Sequence, residues 1–166
     1  MLGQVLLFMA LQTGILSPHG EKAVVLLFIR TDCPVSNRYA PELEKLYKRY
    51  SPAGINFLRV YPEPDVTPSA IEQHGRDYGY SIPAVLDADH RYVARAKARV
   101  TPEAAVFVNG KLAYVGRIDD SYADIGKAKA HPEHHDLDEE LSAILAGKVP
   151  PFHRTKSVGC VIEDLR

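Results

Sequence analysis

The pattern of apolar and polar positions along the chain predicts strands that alternate with helices. Residues 23–29 form an unbroken apolar run rich in branched side chains, which is typical of a strand buried on both faces of a sheet. Residues 34–50 have apolar side chains at helical spacing with charged residues between them, which predicts one amphipathic helix. Residues 55–61 predict a second strand. Together these elements form a β-α-β unit, whose crossover is almost always right-handed.

The rest of the chain predicts further helices and strands in a similar order. Helices are expected at residues 69–78, 92–98 and 137–146, and strands at residues 84–86, 104–108 and 112–115. Asn109 and Gly110 lie between the last two strands and are a strong signal for a two-residue hairpin turn. Residues 116–130 are polar and predict a loop. The order of elements indicates an α/β fold with a mixed central sheet between helices.

Three positions are expected to begin or end helices. Thr67 or Ser69 is suited to cap the helix that follows the proline-rich loop. Asp136 and Glu139 have the spacing of a capping box at the start of the last helix. Gly147 is suited to the position just after that helix ends.

Length and composition fit one globular domain with a buried core. The chain has 166 residues, of which 46% are hydrophobic, and its net charge is −1. Such a charge does not indicate a nucleic-acid partner, and we expect no stable membrane span. The chain divides into an apolar N-terminal segment (1–20), the domain (21–147) and a C-terminal tail (148–166). The oligomeric state is left open.

Residues 1–20 have two interpretations. Their apolar run at residues 5–10 is similar to the hydrophobic part of a secretory signal, which would place the protein outside the cytoplasm. However, no Lys or Arg precedes Lys22, and there is no clear cleavage site. The alternative is a strand or helix packed on the domain of a cytoplasmic protein.

Cys33 is the main candidate for chemistry. It follows the first predicted strand, and Pro34 is suited to the first position of the helix after it. Unpaired N–H groups at a helix N-terminus favour a thiolate over a thiol. We therefore expect an accessible, activated thiol rather than a buried structural cysteine. Hydrogen bonds or charge from Thr31, Ser36 and Arg38 would favour the thiolate, whereas the charge of Asp32 would oppose it.

The segment around Cys33 resembles the active-site turn of thioredoxins. Thioredoxins carry Cys-x-x-Cys there and a proline within the following helix. Cys33-Pro34-Val35-Ser36 and then Ala40-Pro41 lie at those places. Thioredoxins also have a cis-proline that faces the active cysteine and precedes a strand and a hairpin. The segment that matches it is Val100-Thr101-Pro102, which precedes residues 104–108 and the Asn109-Gly110 turn.

The helix and strand predicted between Tyr61 and Val100 resemble the insertion of the redoxin branch of this fold. That branch includes the alkyl hydroperoxide reductase and thiol-specific antioxidant proteins. Residues 31–41 (TDCPVSNRYAP) resemble a bacterial redoxin subgroup with serine at the second motif position. The resemblance implies a thioredoxin-like sandwich that acts on a peroxide or disulfide and is restored by an external thiol reductant, without a cofactor. It implies that Cys33 is the nucleophile and that Thr31, Pro34, Ser36, Thr101 and Pro102 line the substrate groove.

Two departures from the family pattern limit these expectations. Ser36 replaces the resolving cysteine of thioredoxins, so the usual local disulfide cannot form. Leu26 and Arg30 stand where a peroxiredoxin has proline and threonine, so the peroxide-binding hydroxyl is missing from its usual place. Cys160, in the tail, is the remaining candidate for a resolving thiol. It can fold back to Cys33, reach another subunit, or be a spare thiol.

Other polar residues are expected to be structural. His131, His134 and His135, together with Asp136, are interpreted as a solvated loop rather than a metal site. The charged residues that follow the hairpin are interpreted as surface charges or a loop-fixing ion pair; they are Arg117, Asp119 and Asp120. An alternative for the whole protein is a binding module that has kept the fold without turnover and holds a protein partner or a metal in the same groove.

Overall fold

A six-stranded mixed sheet forms the centre of the computed structural model, which describes residues 20–164. The strands are β1 Ala23–Phe28, β2 Ile55–Tyr61, β3 Ala84–Leu86, β4 Val100–Thr101, β5 Glu103–Val108, β6 Lys111–Gly116, β7 Tyr122–Asp124, β8 Lys127–Ala128, β9 His153–Arg154 and β10 Cys160–Val161. The helices are α1 Pro34–Arg38, α2 Ala40–Tyr50, α3 Pro68–Asp77, α4 Arg91–Ala96 and α5 Asp136–Leu145, and a 3-10 turn covers Ser51–Ala53.

The central sheet has the order β3-β2-β1-β5-β6-β9. Strands β1, β2 and β3 are parallel, β5 and β6 continue the sheet in antiparallel pairs, and β9 lies parallel to β6. All six residues of β1 are buried, as expected for a central strand with both faces covered. The predicted α/β architecture, with a mixed sheet flanked by helices, is confirmed.

Two apolar clusters cover the two faces of the sheet. One joins Val25 and Leu27 of β1 to helices α2, α3 and α5. The other joins Leu26 and Phe28 to α4 and to Ile162 of the C-terminal tail. Because alternate residues of a strand point to opposite faces, the single apolar run of β1 serves both clusters.

The helix predicted over residues 34–50 is interrupted. It is divided at Tyr39 into α1 and α2. Pro41 is near the start of α2 and has no N–H, so it cannot donate to the carbonyl four residues earlier. The expectation of one continuous helix was therefore wrong, and the short α1 follows Cys33 separately from the amphipathic α2.

Two details of the region after the hairpin also differ from expectation. The stretch 116–130, predicted as a loop, contains the small hairpin formed by β7 and β8. Asp136 does not cap α5, because the capping position is His135, whose N–H donates to Glu139. The carboxylate of Asp136 instead accepts two hydrogen bonds from Arg117. The predicted turn at Asn109 and Gly110 is confirmed, with φ of 50° and 73°.

The C-terminal tail packs along the domain. Strand β9 extends the sheet beside β6, and β10 pairs with β4. A Cβ on Gly116 would lie 2.1 Å from Oγ1 of Thr155, so glycine at this position allows the tail to approach the end of β6 closely. The amide of Ile162 donates to the carbonyl of Arg99 at 2.9 Å.

The interpretations of the apolar N-terminal run at residues 5–10 lie outside the described residues. Within residues 20–164, no helix is long and apolar enough to cross a membrane.

Candidate functional site

Cys33 lies at the carboxyl edge of the sheet, in the turn between β1 and α1. Its backbone is extended, with φ of −89° and ψ of 110°, and it occupies the position just before the first helical residue, Pro34. The carbonyl of Cys33 accepts a hydrogen bond from the amide of Asn37 at 3.0 Å. Because α1 has only five residues, hydrogen bonds to the sulfur matter more here than the dipole of a long helix.

The Cys33 side chain is fully buried, which contradicts the expectation of an exposed turn. Its Sγ lies 3.2 Å from the backbone carbonyl of Thr101 and donates to it in the thiol form. The Thr101–Pro102 peptide bond is cis, as predicted. The segment with Thr101 and Pro102 therefore faces the turn that contains Cys33, in the arrangement that the resemblance to thioredoxins implied.

Cys160 reaches the same place from the C-terminal tail. In the antiparallel pair of β10 and β4, Cys160 is the partner of Thr101, and Val161 is the partner of Val100. The side chain of Cys160 packs against the buried cluster that contains Cys33, and the carbonyl of its strand partner Thr101 lies 3.2 Å from the Cys33 sulfur. Both cysteines are free thiols in this structure. Of the alternatives for Cys160, folding back within the same chain is the arrangement observed.

The surroundings shift the pKa values of the two thiols in opposite directions. Burial by itself raises the pKa of Cys33, but hydrogen bonds from Cys160 and from the hydroxyl and amide of Ser36 outweigh it and lower the pKa. The pKa of Cys160 is raised to about 11. Burial is the largest cause of this rise, and the hydrogen bond to Cys33 and the negative charge of Cys33 are the next two. At neutral pH, Cys33 is the better thiolate and Cys160 holds its proton.

Of the three residues suggested by the sequence, Ser36 is placed to donate to the sulfur once Cys33 ionises. Its buried hydroxyl has no hydrogen-bond partner in the reduced protein, and hydrogen bonding from Ser36 to the thiolate lowers the pKa of Cys33. The hydroxyl of Thr31 donates to Glu63 at 2.6 Å, and Arg38 is exposed. The carboxylate of Asp32 is held by a bidentate pair with Arg30.

A chain of hydrogen bonds joins strand β2 and helix α3 to the turn that contains Cys33. No pattern in the sequence predicted this chain. A guanidinium N–H of Arg59 donates to the hydroxyl of Tyr61 at 2.7 Å, and that hydroxyl lies 2.8 Å from Nδ1 of His74. Nε2 of His74 lies 2.8 Å from Oδ1 of Asn37, whose amide nitrogen donates to the carbonyl of Thr31 at 3.1 Å. Helix α3, which carries His74, is thereby joined to the turn that contains Cys33.

One signal in the sequence marks His74. It lies three residues after Ile71, so both residues face the buried side of α3. Nothing comparable marks Glu63, which lies in the proline-rich loop and accepts hydrogen bonds from both the amide and the hydroxyl of Thr31. Burial raises the pKa of Glu63, and the two hydrogen bonds from Thr31 oppose that rise.

A cleft of about 530 Å³ opens beside Thr31 and Asp32, the two residues that precede Cys33. One wall contains Thr31 and Asp32, and another contains Ile162 of the tail. Most of its charged side chains are acidic; its charged residues are Arg30, Asp32, Glu63, Asp65, Glu163 and Asp164. The C-terminal tail therefore forms part of the wall of this cleft, and of the residues expected to line the substrate groove Thr31 lines it as well.

The histidine-rich loop does not bring its three histidines together. Within residues 20–164, the group with metal-ligand spacing is Asp120, Glu133 and His134, of which only Asp120 is buried. The carboxylate of Asp120 already accepts a hydrogen bond from Lys129 at 2.6 Å and from the amides of Glu133 and His134. Hydrogen bonding with His134 and Lys129 holds the pKa of Asp120 well below its usual range.

The charged residues after the hairpin are more buried than expected. Asp119 and Asp120 are both buried, so the interpretation as surface charges was wrong for these two. Asp119 accepts hydrogen bonds from the hydroxyl of Tyr39 and the amide of Ser121. Ion pairs do fix the loop, since Asp120 pairs with Lys129 and Arg117 pairs with Asp136.

The strand order, the cis-proline and a cysteine at the turn after β1 define a thioredoxin-like protein. More particularly, the chain belongs to the AhpC/TSA family, whose sequence profile matches residues 11–115. The narrower resemblance, to a subgroup with serine at the second motif position, stays a prediction.

Three relatives illustrate the similarity. The thiol-disulfide oxidoreductase ResA of Halalkalibacterium halodurans is 37% identical over 67 residues, a segment that covers 40% of this chain and 36% of ResA. An uncharacterized conserved protein from Geobacillus kaustophilus has a crystal structure that matches with a TM-score of 0.74 at 26% identity, covering 86% of this chain and 77% of that one. StoA from Bacillus subtilis matches with a TM-score of 0.55 at 14% identity over 75% of this chain and 85% of StoA, and at that identity it shows the fold alone.

Family membership and the ResA match together support a thiol-based redox protein. The segment shared with ResA is only about a third of that protein's length, so the activity of ResA is not transferred as a whole.

Proposed function

We propose that this protein is a thiol–disulfide oxidoreductase in which Cys33 is the nucleophile and Cys160 is the resolving thiol. The observation that carries the proposal is the position of Cys160. It is the strand partner of Thr101, whose carbonyl lies 3.2 Å from the sulfur of Cys33, and its side chain packs against the buried cluster that contains Cys33. Ser36 cannot supply the second thiol, and Cys160 is the only other cysteine in the sequence.

The acidities of the two thiols support an order of events. The thiolate is the reactive form of a cysteine, and the lowered pKa makes Cys33 the attacking group. Two of the three largest contributions that raise the pKa of Cys160 come from Cys33, as a hydrogen bond and as a negative charge. Both disappear when the sulfur of Cys33 enters a disulfide. Cys160 therefore becomes easier to ionise after the first step.

The reaction balances with a disulfide R–S–S–R′ as the oxidant. The Cys33 thiolate attacks one sulfur, the S–S bond breaks, and R′–S⁻ leaves and takes a proton from solvent. Cys160 then loses its proton to solvent and attacks the Cys33 sulfur, which expels R–S⁻ and forms a Cys33–Cys160 disulfide. The substrate disulfide has been reduced to two thiols by two electrons. An external thiol reductant restores the protein dithiol.

A disulfide fits this site better than a peroxide. Arg30 stands where a peroxiredoxin has its peroxide-binding threonine, and its guanidinium is engaged by Asp32. The nearby hydroxyl of Thr31 is engaged by Glu63. Neither group is therefore free to bind a peroxide beside the sulfur of Cys33.

Mass spectrometry after mild oxidation tests the proposal. The reduced protein is treated with hydroxyethyl disulfide, and we expect it to lose the mass of two hydrogens and to yield a peptide pair joined through Cys33 and Cys160. In the matched Cys160→Ser variant, Cys33 should instead keep a stable mixed disulfide. A mixed disulfide that persists on the unaltered protein would show that Cys160 is not the resolving thiol.

A parallel sample treated with hydrogen peroxide distinguishes the two oxidants. We expect oxidation by peroxide to be slower than by the disulfide at the same concentration. Faster oxidation by peroxide would favour a peroxidase, and no reaction of Cys33 with either oxidant would favour a binding module.

A further inference from the structure

The C-terminal tail lies where a substrate would be expected. The resemblance to redoxins implies that Thr101 and the cis-proline Pro102 line the substrate groove. The β4 edge at Thr101 is already paired with β10 of the same chain, with Cys160 opposite Thr101 and Val161 opposite Val100. The amide of Ile162 continues the contact by donating to the carbonyl of Arg99.

Gly159 makes this close approach possible. A Cβ at this position would lie 2.0 Å from the carbonyl oxygen of Thr101, 2.6 Å from its carbonyl carbon and 3.1 Å from Cδ of Pro102. Two of these atoms belong to the backbone and cannot move aside as the end of a flexible side chain can. Any other residue at position 159 must shift the tail away from Thr101.

Contacts on both sides of Gly159 hold the segment in place. Before it, the carboxylate of the buried Glu103 accepts a hydrogen bond from the hydroxyl of Ser157 at 2.9 Å and pairs with Arg154 at 3.4 Å. After it, the side chain of Ile162 is buried in the cluster beneath the sheet. Between these anchors, Val161 is 67% exposed, so its side chain takes no part in the contact with the site.

We propose that residues 158–162 occupy the substrate-binding edge of the site in the resting protein and compete there with an extended, cysteine-containing polypeptide. This rests on the proposed function, in which Cys33 is the nucleophile. A polypeptide substrate reaches Cys33 only after the segment has left β4. To bind in the same register, the polypeptide needs a glycine immediately before its cysteine, for the reason that holds for Gly159.

The first test measures how accessible Cys33 is. In a Cys160→Ser background Cys33 is the only thiol, so its reaction with iodoacetamide reports its exposure directly. Adding Gly159→Ala should displace the segment and raise the labelling rate about tenfold or more, because labelling follows the population of the open form. Cys160→Ser alone is the matched control, since it keeps Gly159 and the backbone pairing.

A second variant guards against misfolding. Adding Ile162→Ala to the Cys160→Ser background loosens the anchor at the other end of the segment without introducing a clash. It should also raise the labelling rate while the circular dichroism spectrum is unchanged. Equal labelling rates in the control and in both folded variants would overturn the proposal.

A peptide tests the class of substrate. The probe is a synthetic copy of residues 156–164 that carries Cys160→Ser, and the protein is the full chain with Cys160→Ser and Gly159→Ala. We expect the peptide to slow labelling of Cys33 to near the rate of the Cys160→Ser control, and a peptide that also carries Gly159→Ala to give no protection. Failure of the first peptide, or equal protection by both, would contradict the proposed competition.

These readouts are independent of the proposed redox cycle. Neither labelling nor peptide protection requires a Cys33–Cys160 disulfide. If that disulfide does not form on oxidation, the proposed function fails while the occupancy of the β4 edge by the tail is still decided by the labelling rates.

Discussion

Nε2 of His74 lies 2.8 Å from Oδ1 of Asn37, and this contact joins helix α3 to the turn that contains Cys33. The amide nitrogen of Asn37 donates to the carbonyl of Thr31, so its Oδ1 accepts and Nε2 of His74 carries the hydrogen. Nδ1 of the neutral ring then accepts from the hydroxyl of Tyr61, which in turn accepts from Arg59. A second proton on His74 would leave the hydroxyl hydrogen of Tyr61 without its acceptor.

This arrangement predicts that stability depends on pH through His74. Burial and the charge of Arg59 lower the pKa of His74 below its usual 6.5, although Asp77 opposes them. Below that value the unfolded chain binds a proton that the folded protein does not, so the free energy of unfolding decreases as pH falls. Urea denaturation at about pH 7.5 and about pH 5.5 measures this decrease, on either side of the usual histidine pKa.

The control for the pH measurement is His74→Gln, which retains a donor for Asn37. We expect this variant to be less stable at neutral pH but to lose less stability than the unaltered protein on acidification. Glu63, whose pKa is raised by burial, contributes with the opposite sign and is common to both proteins. An identical loss of stability in the two proteins would show that His74 is not the titrating group. The rings of Tyr78 and Tyr80 also face His74, and burial raises the pKa of Tyr80 further above this range.

Ser36→Ala is predicted to raise the pKa of Cys33. The hydroxyl of Ser36 is buried without a hydrogen-bond partner in the reduced protein, and hydrogen bonding from it to the thiolate lowers the pKa of Cys33. Removing it leaves burial less opposed. The ultraviolet absorbance of the thiolate as a function of pH, in a Cys160→Ser background, measures the change. Ser69→Ala, an exposed position on α3, is the control and should leave the titration unchanged.

Asp87→Ala is predicted to destabilise the protein by about 1–3 kcal/mol, the cost of leaving buried polar groups unpaired. The buried carboxylate of Asp87 accepts hydrogen bonds from the amides of Tyr92 and Val93 at 3.1 and 3.0 Å and so begins α4. Denaturation by urea measures the loss. Asp89→Ala removes an exposed pair with Arg91 and should change stability by less than about 1 kcal/mol. A similar loss from both substitutions would argue against the capping role.

Local patterns were sufficient for most of the fold. The apolar run of β1, the helical spacing in α2 and the Asn109-Gly110 turn each reflect interactions between residues close in sequence, and these elements were predicted within a few residues. The break at Tyr39 was missed because helical periodicity continues across it. The β7–β8 hairpin was missed because its strands are short and polar and carry no clear alternation.

The site was less predictable because it is made of distant segments. Position in the sequence placed Cys33 at a turn, and the resemblance to thioredoxins placed Pro102 opposite it. Cys160 is 127 positions later in the chain than Cys33 and approaches the site through a backbone pairing of only two residues. Such a short pairing leaves no periodic signal. No pattern in the sequence marked Gly159 either, because its role depends on close contact with the carbonyl of Thr101, which is distant in sequence.

The two cysteines are predicted to act in sequence, and substitutions can separate their steps. Cys33→Ser should abolish all thiol-dependent activity, because attack on a disulfide needs the thiolate of lowered pKa. Cys160→Ser should leave the first step and impair only the release of the mixed disulfide, since the first step uses one sulfur. Stopped-flow measurement of the first thiol released and of the second separates these events.

A double variant tests whether the two cysteines act one after the other. Cys33→Ser combined with Cys160→Ser should behave like Cys33→Ser alone, because a resolving thiol has no substrate when no mixed disulfide forms. If Cys160→Ser abolishes release of the first thiol, Cys160 is the nucleophile and the roles are reversed. If it changes neither release, the resolving thiol comes from another molecule. The raised pKa of Cys160, about 11 while Cys33 is reduced, argues against the reversed roles, because at neutral pH its thiol is almost wholly protonated.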